Sequence, residues 1–305
     1  MNLVDTFCLM TQSIRNNVKD LAVSLLHLLY KCLHAFRRIL FPSFQAKSYK
    51  KLNDLIGKIM GMKVSRIRTK DGLILLLDEK DSLALSFNLV YEPEETALVK
   101  QTIQSDMRII DIGANIGYYT TLFSKLATNG TVYAFEPDES NFRLLEKNCS
   151  LNELNNVELF NYAVGHEVCS RELFLSEHNM GDHRLYPIEE SRSFSLVKMI
   201  TIDQFLKSKK PFDFIKMDIQ GFEMNALQGM NGRITQDAPI LLLEVWPEAL
   251  LKNNVKPLDM LLWLNNHRYE VFDANDLKTK ISRTESSNWI ESIEDHANIF
   301  CKKRF

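Results

Sequence analysis

From residue 108 onward, short apolar runs alternate with segments whose apolar residues recur every three to four positions. The first kind, typical of buried strands, occupies residues 108–112, 131–135, 157–162, 212–217 and 239–245. The second kind, typical of helices, occupies residues 117–127, 139–149, 222–229 and 257–266. This alternation predicts an α/β fold with a doubly wound, mostly parallel sheet that carries helices on both faces.

A small lead-in is predicted before this region. Residues 64–69 and 73–78 are rich in strand formers and flank Lys70-Asp71-Gly72, a sequence typical of a hairpin turn. Residues 94–104 have the pattern of a helix. One domain is therefore predicted over residues 53–305, consisting of the lead-in at 60–104 and the sheet region at 105–305.

Two pairs of predicted strands do not follow the alternation. Residues 172–175 and 194–200 are interpreted as an antiparallel insertion. Residues 269–272 and 298–302, with no helix predicted between them, are interpreted as a final antiparallel pair at the edge of the sheet.

The N-terminal residues 1–52 are predicted to form a helical extension and its linker. Residues 20–41 are amphipathic at a period near 3.6, and their uncharged run at 21–30 is far shorter than the roughly 20 residues of a spanning helix. No small-residue cleavage site of a signal peptide follows. A basic helix of this kind can lie on an anionic membrane surface, or pack on the domain or on a second copy of the chain. The pattern leaves these alternatives open.

Charge and cysteine content narrow the functional classes. The net charge is −2, but residues 1–51 carry +6, so the remainder carries −8. This balance argues against nucleic-acid binding by the main domain. The five cysteines include no C-x-x-C pair, which excludes a zinc site built on paired cysteines and indicates a reducing compartment. We therefore expect a cytoplasmic protein, either free or peripheral on the inner membrane surface through residues 20–41.

Residues 108–117 are the stretch around which the predicted sheet is organised. A buried strand ends near Asp111, and Gly113 and Gly117 bracket a tight turn before a helix. Such a unit directs backbone N–H groups and a helix N-terminus at a small ligand. Glu136 ends the next strand about twenty residues later, at the distance where an acidic residue accepts hydrogen bonds from ribose hydroxyls. A ligand that carries a ribose is predicted.

The spacing of this turn distinguishes between two cofactors. A dinucleotide site requires G-x-G-x-x-G, but the second and third glycine positions hold Asn115 and Tyr118. Asp111-x-Gly113-x-Asn115-x-Gly117 instead resembles the first motif of class I methyltransferases, which bind S-adenosylmethionine. A nicotinamide dehydrogenase remains a distant alternative.

Polar residues at other strand ends are candidates for the same site, because ligands of such sheets bind at the carboxyl ends of the strands. Asn161 and Ala163 are expected beside the adenine. Lys216 stands inside an apolar run and requires a partner, since an unpaired buried ammonium is costly. Asp218 lies on the same face, and Glu223 follows in the next helix turn. We predict a Lys/Asp/Glu cluster at the cofactor end of the sheet, either catalytic or closing the turn as a structural ion pair.

Three motifs are similar to the FkbM family of class I methyltransferases: Asp-Ile-Gly-Ala-Asn-Ile-Gly at 111–117, Phe-Glu-Pro at 135–137 and Ile-Lys-Met-Asp-Ile-Gln-Gly-Phe-Glu at 215–223. Tyr91-Glu92-Pro93 is also similar. The resemblance covers roughly residues 85–302. It implies a Rossmann-like sheet whose last strand is antiparallel, and S-adenosylmethionine-dependent O-methylation of hydroxyls on sugars, polyketides or related metabolites. Gln220 departs from the glutamate more frequent in the family, which argues against a catalytic acid there.

Methylation of a hydroxyl requires removal of its proton, so a general base is expected. Asp218 is the first candidate, with Lys216 tuning it or replacing it and His183 as an outside choice. Catalysis without a metal is predicted, acting on a small-molecule or glycan acceptor, in a chain that can form homo-oligomers. The alternatives are a non-catalytic S-adenosylmethionine-binding module and a membrane-surface interaction protein.

Overall fold

The computed structural model describes residues 65–187 and 192–304. These residues belong to one compact unit that spans Val64–Phe305. The predicted helix at 20–41 and the predicted domain boundary at residue 52 lie outside the described residues. Among the helices that are described, none has the length and apolar character needed to cross a bilayer.

The described strands and helices follow the predicted alternation. The strands are β1 (Arg66–Arg68), β2 (Ile74–Leu76), β3 (Arg108–Ile112), β4 (Thr131–Phe135), β5 (Val157–Phe160), β6 (Ala163–Val164), β7 (Cys169–Phe174), β8 (Phe194–Ile200), β9 (Phe214–Met217), β10 (Ile240–Val245), β11 (Tyr269–Asp273) and β12 (Ala297–Lys303). The helices are α1 (Leu85–Asn88), α2 (Pro93–Thr102), α3 (Tyr118–Leu126), α4 (Glu139–Leu151), α5 (Ile202–Phe205), α6 (Glu223–Gly229), α7 (Asn231–Asp237), α8 (Pro247–Lys252), α9 (Pro257–Asn266) and α10 (Ser286–Glu291).

A seven-stranded sheet has the order β11-β12-β10-β9-β3-β4-β5. Strands β10, β9, β3, β4 and β5 run parallel, and β12 pairs antiparallel with both β10 and β11. From β3 the chain first moves outward through β4 and β5, and later continues from β9 to β10 on the other side. The doubly wound sheet with a final antiparallel strand is thus confirmed, and the change of direction between β3 and β9 is where such sheets bind ligands.

The predicted antiparallel insertion is confirmed, whereas one expectation about the C-terminal pair of strands was wrong. Strands β7 and β8 are antiparallel as predicted, and with β6 they form a separate three-stranded sheet. The expectation of no helix between β11 and β12 was wrong, because α10 lies between them. Trp289 and Ile290 of α10 pack against the main apolar cluster, so tertiary contact rather than a strong local pattern forms this short helix.

Alternation along β3 places its side chains in two separate cores. Ile110 and Ile112 join a cluster on one face of the sheet, whereas Ile109 packs with Phe123 and other residues on the opposite face. All four are buried. Burial on both faces accounts for the continuous apolar runs of the parallel strands.

The outer edge of β2 is bonded by two asparagine side chains, Asn148 in the last turns of α4 and Asn152 directly after that helix. The Asn148 side-chain amide accepts from the Leu76 N–H at 2.7 Å and donates to the Leu76 carbonyl at 3.1 Å. Asn152 makes the same pair of bonds with Ile74, at 3.0 and 2.7 Å. These bonds connect the β1–β2 hairpin to the sheet domain.

Candidate active site

A cavity of about 300 Å³ opens at the carboxyl ends of β3, β4, β9 and β10. It is roofed by residues 179–183, which belong to the loop between β7 and β8. The Met180 N–H donates to Ser82 Oγ at 2.7 Å, and Asn141 Nδ2 donates to the Met180 carbonyl at 2.8 Å. The roof is therefore bound to both the lead-in and α4.

One side of the cavity, the turn wall, consists of Gly113, Ala114, Asn115 and Glu136. The Gly113 and Ala114 N–H groups both donate to the Phe135 carbonyl at 3.0 Å, which ties the turn to the end of β4. Gly113 has φ +80°, and a Cβ there would lie 2.0 Å from the Asp218 carbonyl oxygen. Only glycine fits this position, because any side chain would collide with backbone.

Glu136 is held by backbone N–H groups. Its Oε2 accepts from Asn115 at 2.8 Å and its Oε1 accepts from Asp138 at 2.9 Å. Burial raises the pKa of Glu136 to about 8, although these two backbone donors oppose the shift. Each carboxylate oxygen can accept a second hydrogen bond, so the residue retains capacity for hydroxyl donors at the cavity.

The other predicted cofactor residues divide between the cavity and the structure behind it. Asp111 and Ala163 line the cavity. Asp111 is 1% exposed; its Oδ2 accepts from Thr120 Oγ1 at 2.6 Å, and its Oδ1 has no hydrogen-bond partner. Asn161 lies behind the wall, where its amide donates to the carbonyls of Glu136 and Pro137 at 2.9 and 3.0 Å.

Gly117 also lies behind the turn rather than in the cavity lining. It has φ +89°, and a Cβ there would meet Leu145 Cδ1 at 2.5 Å. This glycine therefore permits close packing of the turn against α4. The expectation of direct cofactor contact is corrected for Gly117 and Asn161, which support residues that do line the cavity.

The opposite side, the carboxylate wall, consists of Glu92, Lys216, Asp218 and Glu244. Lys216 Nζ lies 3.5 Å from Asp218 Oδ2 and 4.6 Å from the centre of the Tyr119 ring. Gln220 bridges two of the carboxylates, since its Nε2 lies 2.9 Å from Asp218 Oδ1 and 3.3 Å from Glu244 Oε2. Three acidic side chains thus surround one ammonium.

Burial disfavours the charged form of each side chain in this wall, but the neighbouring carboxylates stabilise the charge of Lys216 and oppose that of Glu244. Burial opposes the charge of Lys216, but the carboxylates of Asp218, Glu92 and Asp111 outweigh it and raise the pKa to about 12. Burial, followed by the charges of Asp218 and Glu223, raises the pKa of Glu244 well above its usual value. Lys216 is therefore an ammonium at neutral pH and is unsuited to act as a base, whereas the raised pKa of Glu244 favours its neutral form.

The predicted cluster of Lys216, Asp218 and Glu223 is only partly brought together. Lys216 and Asp218 line the cavity, but Glu223 is fully buried behind the turn after β9. Glu223 Oε1 accepts from the N–H groups of Ile219 at 3.0 Å and Gly221 at 3.2 Å. This placement corrects the expectation of a catalytic role, because Glu223 holds the turn and does not reach the cavity.

His183 lies in the roof beside Asp138. Its Nδ1 accepts from the Ser176 N–H at 3.0 Å, and its Nε2 is 4.0 Å from Asp138 Oδ2. Burial lowers the pKa of His183, which favours the neutral ring. These contacts hold His183 within the roof loop as a neutral ring.

Glu92 is a residue of the carboxylate wall that the sequence did not identify as a candidate for the site. It precedes Pro93 at the start of α2, far along the chain from Lys216. The available signal was an acidic residue in the motif Tyr91-Glu92-Pro93, directly before a proline that begins a helix.

The chain matches the model of the FkbM methyltransferase domain over residues 111–271. Methyltransferase 1 of Beauveria bassiana (strain ARSEF 2860) is 24% identical over 147 residues, which cover 41% of this chain and 59% of that protein. The chain thus spans about three fifths of the length of the curated relative it matches.

Two solved structures are similar to the chain. The FkbM methyltransferase from Methylobacillus flagellatus KT is 17% identical with a TM-score of 0.42, covering 65% of this chain and 44% of that one. TYW2 from M. jannaschii in complex with AdoMet is 14% identical with a TM-score of 0.44, covering 80% of this chain and 89% of that one.

Proposed function

The chain belongs to the FkbM methyltransferase family, and from this premise we propose that it transfers a methyl group from S-adenosylmethionine to a hydroxyl of a sugar, a glycolipid or a related metabolite. The observation that carries the proposal is the contact between the two walls of the cavity. Asp218 N donates to the Ile112 carbonyl at 3.1 Å, and the Asp218 carbonyl lies against Gly113. The end of the turn wall and the start of the carboxylate wall are therefore in direct contact.

The turn wall suits S-adenosylmethionine by its chemistry. Glu136 offers anchored carboxyl oxygens to the two hydroxyls of a ribose, and Gly113 lines the same side of the cavity. Asn115, at φ +52°, turns its own N–H toward Glu136 and occupies a place that a pyrophosphate site would give to glycine. A cofactor with a ribose and without a pyrophosphate fits this wall.

S-adenosylmethionine, when bound, supplies an electrophilic methyl carbon on a sulfonium. The tasks left to the chain are to position the acceptor oxygen and to take its proton. Lys216 and Asp218 offer an ammonium and a carboxylate 3.5 Å apart at the cavity surface. Such a pair binds a hydroxyl from both sides, since the hydroxyl can accept from the ammonium and donate to the carboxylate.

A sugar is proposed as the acceptor because several polar side chains line the cavity together with an aromatic ring. Glu92, Asp218 and Gln220 provide hydrogen-bonding groups, and Trp246 lines the same cavity. A flat indole and adjacent carboxylates are suited to a ring with apolar faces and several hydroxyls.

Transfer of labelled methyl from S-adenosylmethionine into glycan and lipid extracts tests this proposal. We expect incorporation that resists alkali, as ethers do and esters do not, and loss of incorporation in Glu136→Ala, with Glu139→Ala as the exposed control. Calorimetric binding of the cofactor without transfer into any extract would support the non-catalytic module instead. Label in an alkali-labile ester or on an amine would contradict O-methylation of a hydroxyl.

A further inference from the structure

The carboxylate wall contains three acids, and their environments differ enough to separate their roles. We infer that Glu92 is the catalytic base, which accepts the proton of the acceptor hydroxyl, and that Asp218 holds Lys216 and orients the acceptor. This inference rests on the proposed methyl transfer. It assigns a function to the Tyr91-Glu92-Pro93 motif, which the cofactor site does not use.

The backbone at Glu92 is held in an unfavourable conformation. Glu92 has φ 42° and ψ 75°, in the left-handed region, directly before Pro93. A non-glycine residue seldom adopts positive φ, and strain of this kind persists where the surrounding structure enforces it. The strained residue lines the cavity.

The side chain of Glu92 does not serve the helix that it precedes. It occupies the N-cap of α2, where an acidic side chain commonly bonds the first free N–H groups, but it makes no such bond. Tyr119 Oη instead donates to Glu92 Oε2 at 2.9 Å. A structural role as a helix cap is thus absent, and the carboxylate is turned toward the cavity.

Aromatic rings fix the position of this carboxylate. The rings of Tyr91 and Tyr119 meet edge to face with centroids 6.1 Å apart, and Lys216 Nζ lies over the Tyr119 ring. Tyr119 is therefore a positioning residue, since it contacts both the Glu92 carboxylate and the Lys216 ammonium.

The other acids of the wall are less suited to accept a proton. Both oxygens of Asp218 have partners, one being the Lys216 ammonium and the other the Gln220 amide. Burial raises the pKa of Glu244 well above the usual value, which favours its neutral form, and its Oε2 already accepts from the Gln220 amide at 3.3 Å. Burial also raises the pKa of Glu92, but Lys216 limits the rise to about 7. A base with a pKa near the operating pH is the most effective.

The proton and the electron pairs balance in one displacement. The acceptor oxygen forms a bond to the methyl carbon while the bond from that carbon to sulfur breaks and its electron pair returns to sulfur. The hydroxyl proton passes to the Glu92 carboxylate and is later released to solvent. The products are a methyl ether, S-adenosylhomocysteine and one proton.

The test compares Glu92→Gln with Glu94→Gln, which changes an exposed glutamate in the same helix. The readouts are initial rates of methyl transfer into the active extract between pH 5.5 and 9, and calorimetric binding of S-adenosylhomocysteine. We expect Glu92→Gln to slow transfer by about 10²- to 10⁴-fold and to abolish the fall in rate below about pH 7, with binding changed less than about threefold. Glu94→Gln should have the rate and the pH profile of the wild type. Tyr119→Phe should retain the fall in rate at low pH, with its midpoint shifted.

A Glu92→Gln enzyme with the wild-type rate and the wild-type acid limb would overturn the inference. Infrared difference spectra of the S-adenosylhomocysteine complex provide a measurement that needs no acceptor. Because burial also raises the pKa of Glu136 to about 8 and that of Glu223 to about 7, the assignment uses the difference between the wild-type and Glu92→Gln spectra. A protonated carboxyl component that is present in this difference and disappears near pH 7 supports the assignment, and identical spectra of the two proteins overturn it. Absence of transfer by the wild type into every extract would count against the proposed function, whereas the spectra would still decide whether Glu92 titrates near pH 7.

Discussion

The two walls of the cavity hold their charged groups in different ways. In the turn wall, the Glu136 carboxylate is bonded by backbone N–H groups of Asn115 and Asp138. In the carboxylate wall, the charged side chains of Lys216 and Asp218 face each other and a bridging amide. In the first arrangement the carboxyl group is held by backbone N–H groups whose positions the path of the chain fixes, whereas in the second the charged side chains hold one another.

This difference matches the two tasks of the proposed reaction. A cofactor of constant structure is well served by donors and acceptors that cannot rearrange, because their order is already provided by folding. Proton removal requires a group that changes its charge within the working range of pH, as Glu92 does with a pKa of about 7. Four predictions test whether the walls differ in this way.

The largest effect is expected where the walls touch. Gly113→Ala should destabilise the domain by more than about 5 kcal/mol or prevent folding, because its Cβ would lie 2.0 Å from the Asp218 carbonyl at positive φ. Gly72→Ala is the matched control, since Gly72 has the same φ of +80° but open space around it. Its cost should be only about 1–2 kcal/mol by chemical denaturation. Equal losses in both variants would contradict a tight contact between the walls.

The next effect concerns the single ammonium of the carboxylate wall. Lys216→Met should lower stability by about 3 kcal/mol, because it leaves the half-buried Asp218 carboxylate beside other acids without its counter-charge. The double variant Lys216→Met, Asp218→Asn should recover part of this loss. Additive losses in the double-mutant cycle would show that the two side chains are not coupled.

The pH dependence of stability, compared between the wild type and Glu92→Gln, tests the titration of Glu92. Burial raises the pKa of Glu92 from its ordinary 4.5 to about 7, so between these pH values the unfolded chain releases a proton that the folded protein still holds. The contribution of Glu92 to stability is fully present below pH 4.5 and is lost as the pH rises to about 7. The stability of the wild type relative to Glu92→Gln should therefore fall by at most about 3 kcal/mol across this window. Parallel curves of melting temperature against pH would show that Glu92 does not titrate there.

The smallest of the four effects is on cofactor affinity. Glu136→Ala should weaken binding of S-adenosylhomocysteine by about 2 kcal/mol, as expected for the loss of two hydrogen bonds to a ribose. Glu139→Ala, at an exposed position paired with Arg143, should leave the affinity unchanged. Calorimetry that finds full affinity in a folded Glu136→Ala protein would contradict the ribose assignment.

The turn wall was predictable from sequence because its geometry is local. Positive φ at Gly113 and the acidic end of the next strand at Glu136 follow from the backbone of a strand–turn–helix unit. Asn161 shows the limit of this reasoning. Its amide was expected at the cavity, but it satisfies the carbonyls of Glu136 and Pro137, and a sequence does not show which backbone groups a turn leaves unpaired.

The carboxylate wall was less predictable because it joins distant segments. Lys216 required a partner and Asp218 was the correct one, since two positions on one strand share a face. Glu223 follows the same logic but lies one turn later, where backbone N–H groups capture its carboxylate. Glu92 reaches the wall only through the packing of α2 beside α3, a contact that local patterns do not encode.

The two asparagines at the C-terminal end of α4 have a consequence for how the protein behaves in a crowded solution. Asn148 and Asn152 use both hydrogen-bonding groups of Leu76 and of Ile74, the residues that face away from β1. Edge strands with free groups of this kind recruit strands from other molecules and promote aggregation. Here side-chain amides occupy the places that an incoming strand would take. A two-stranded hairpin too small to bury its own edge is thereby protected from intermolecular pairing, at the expense of two buried asparagines.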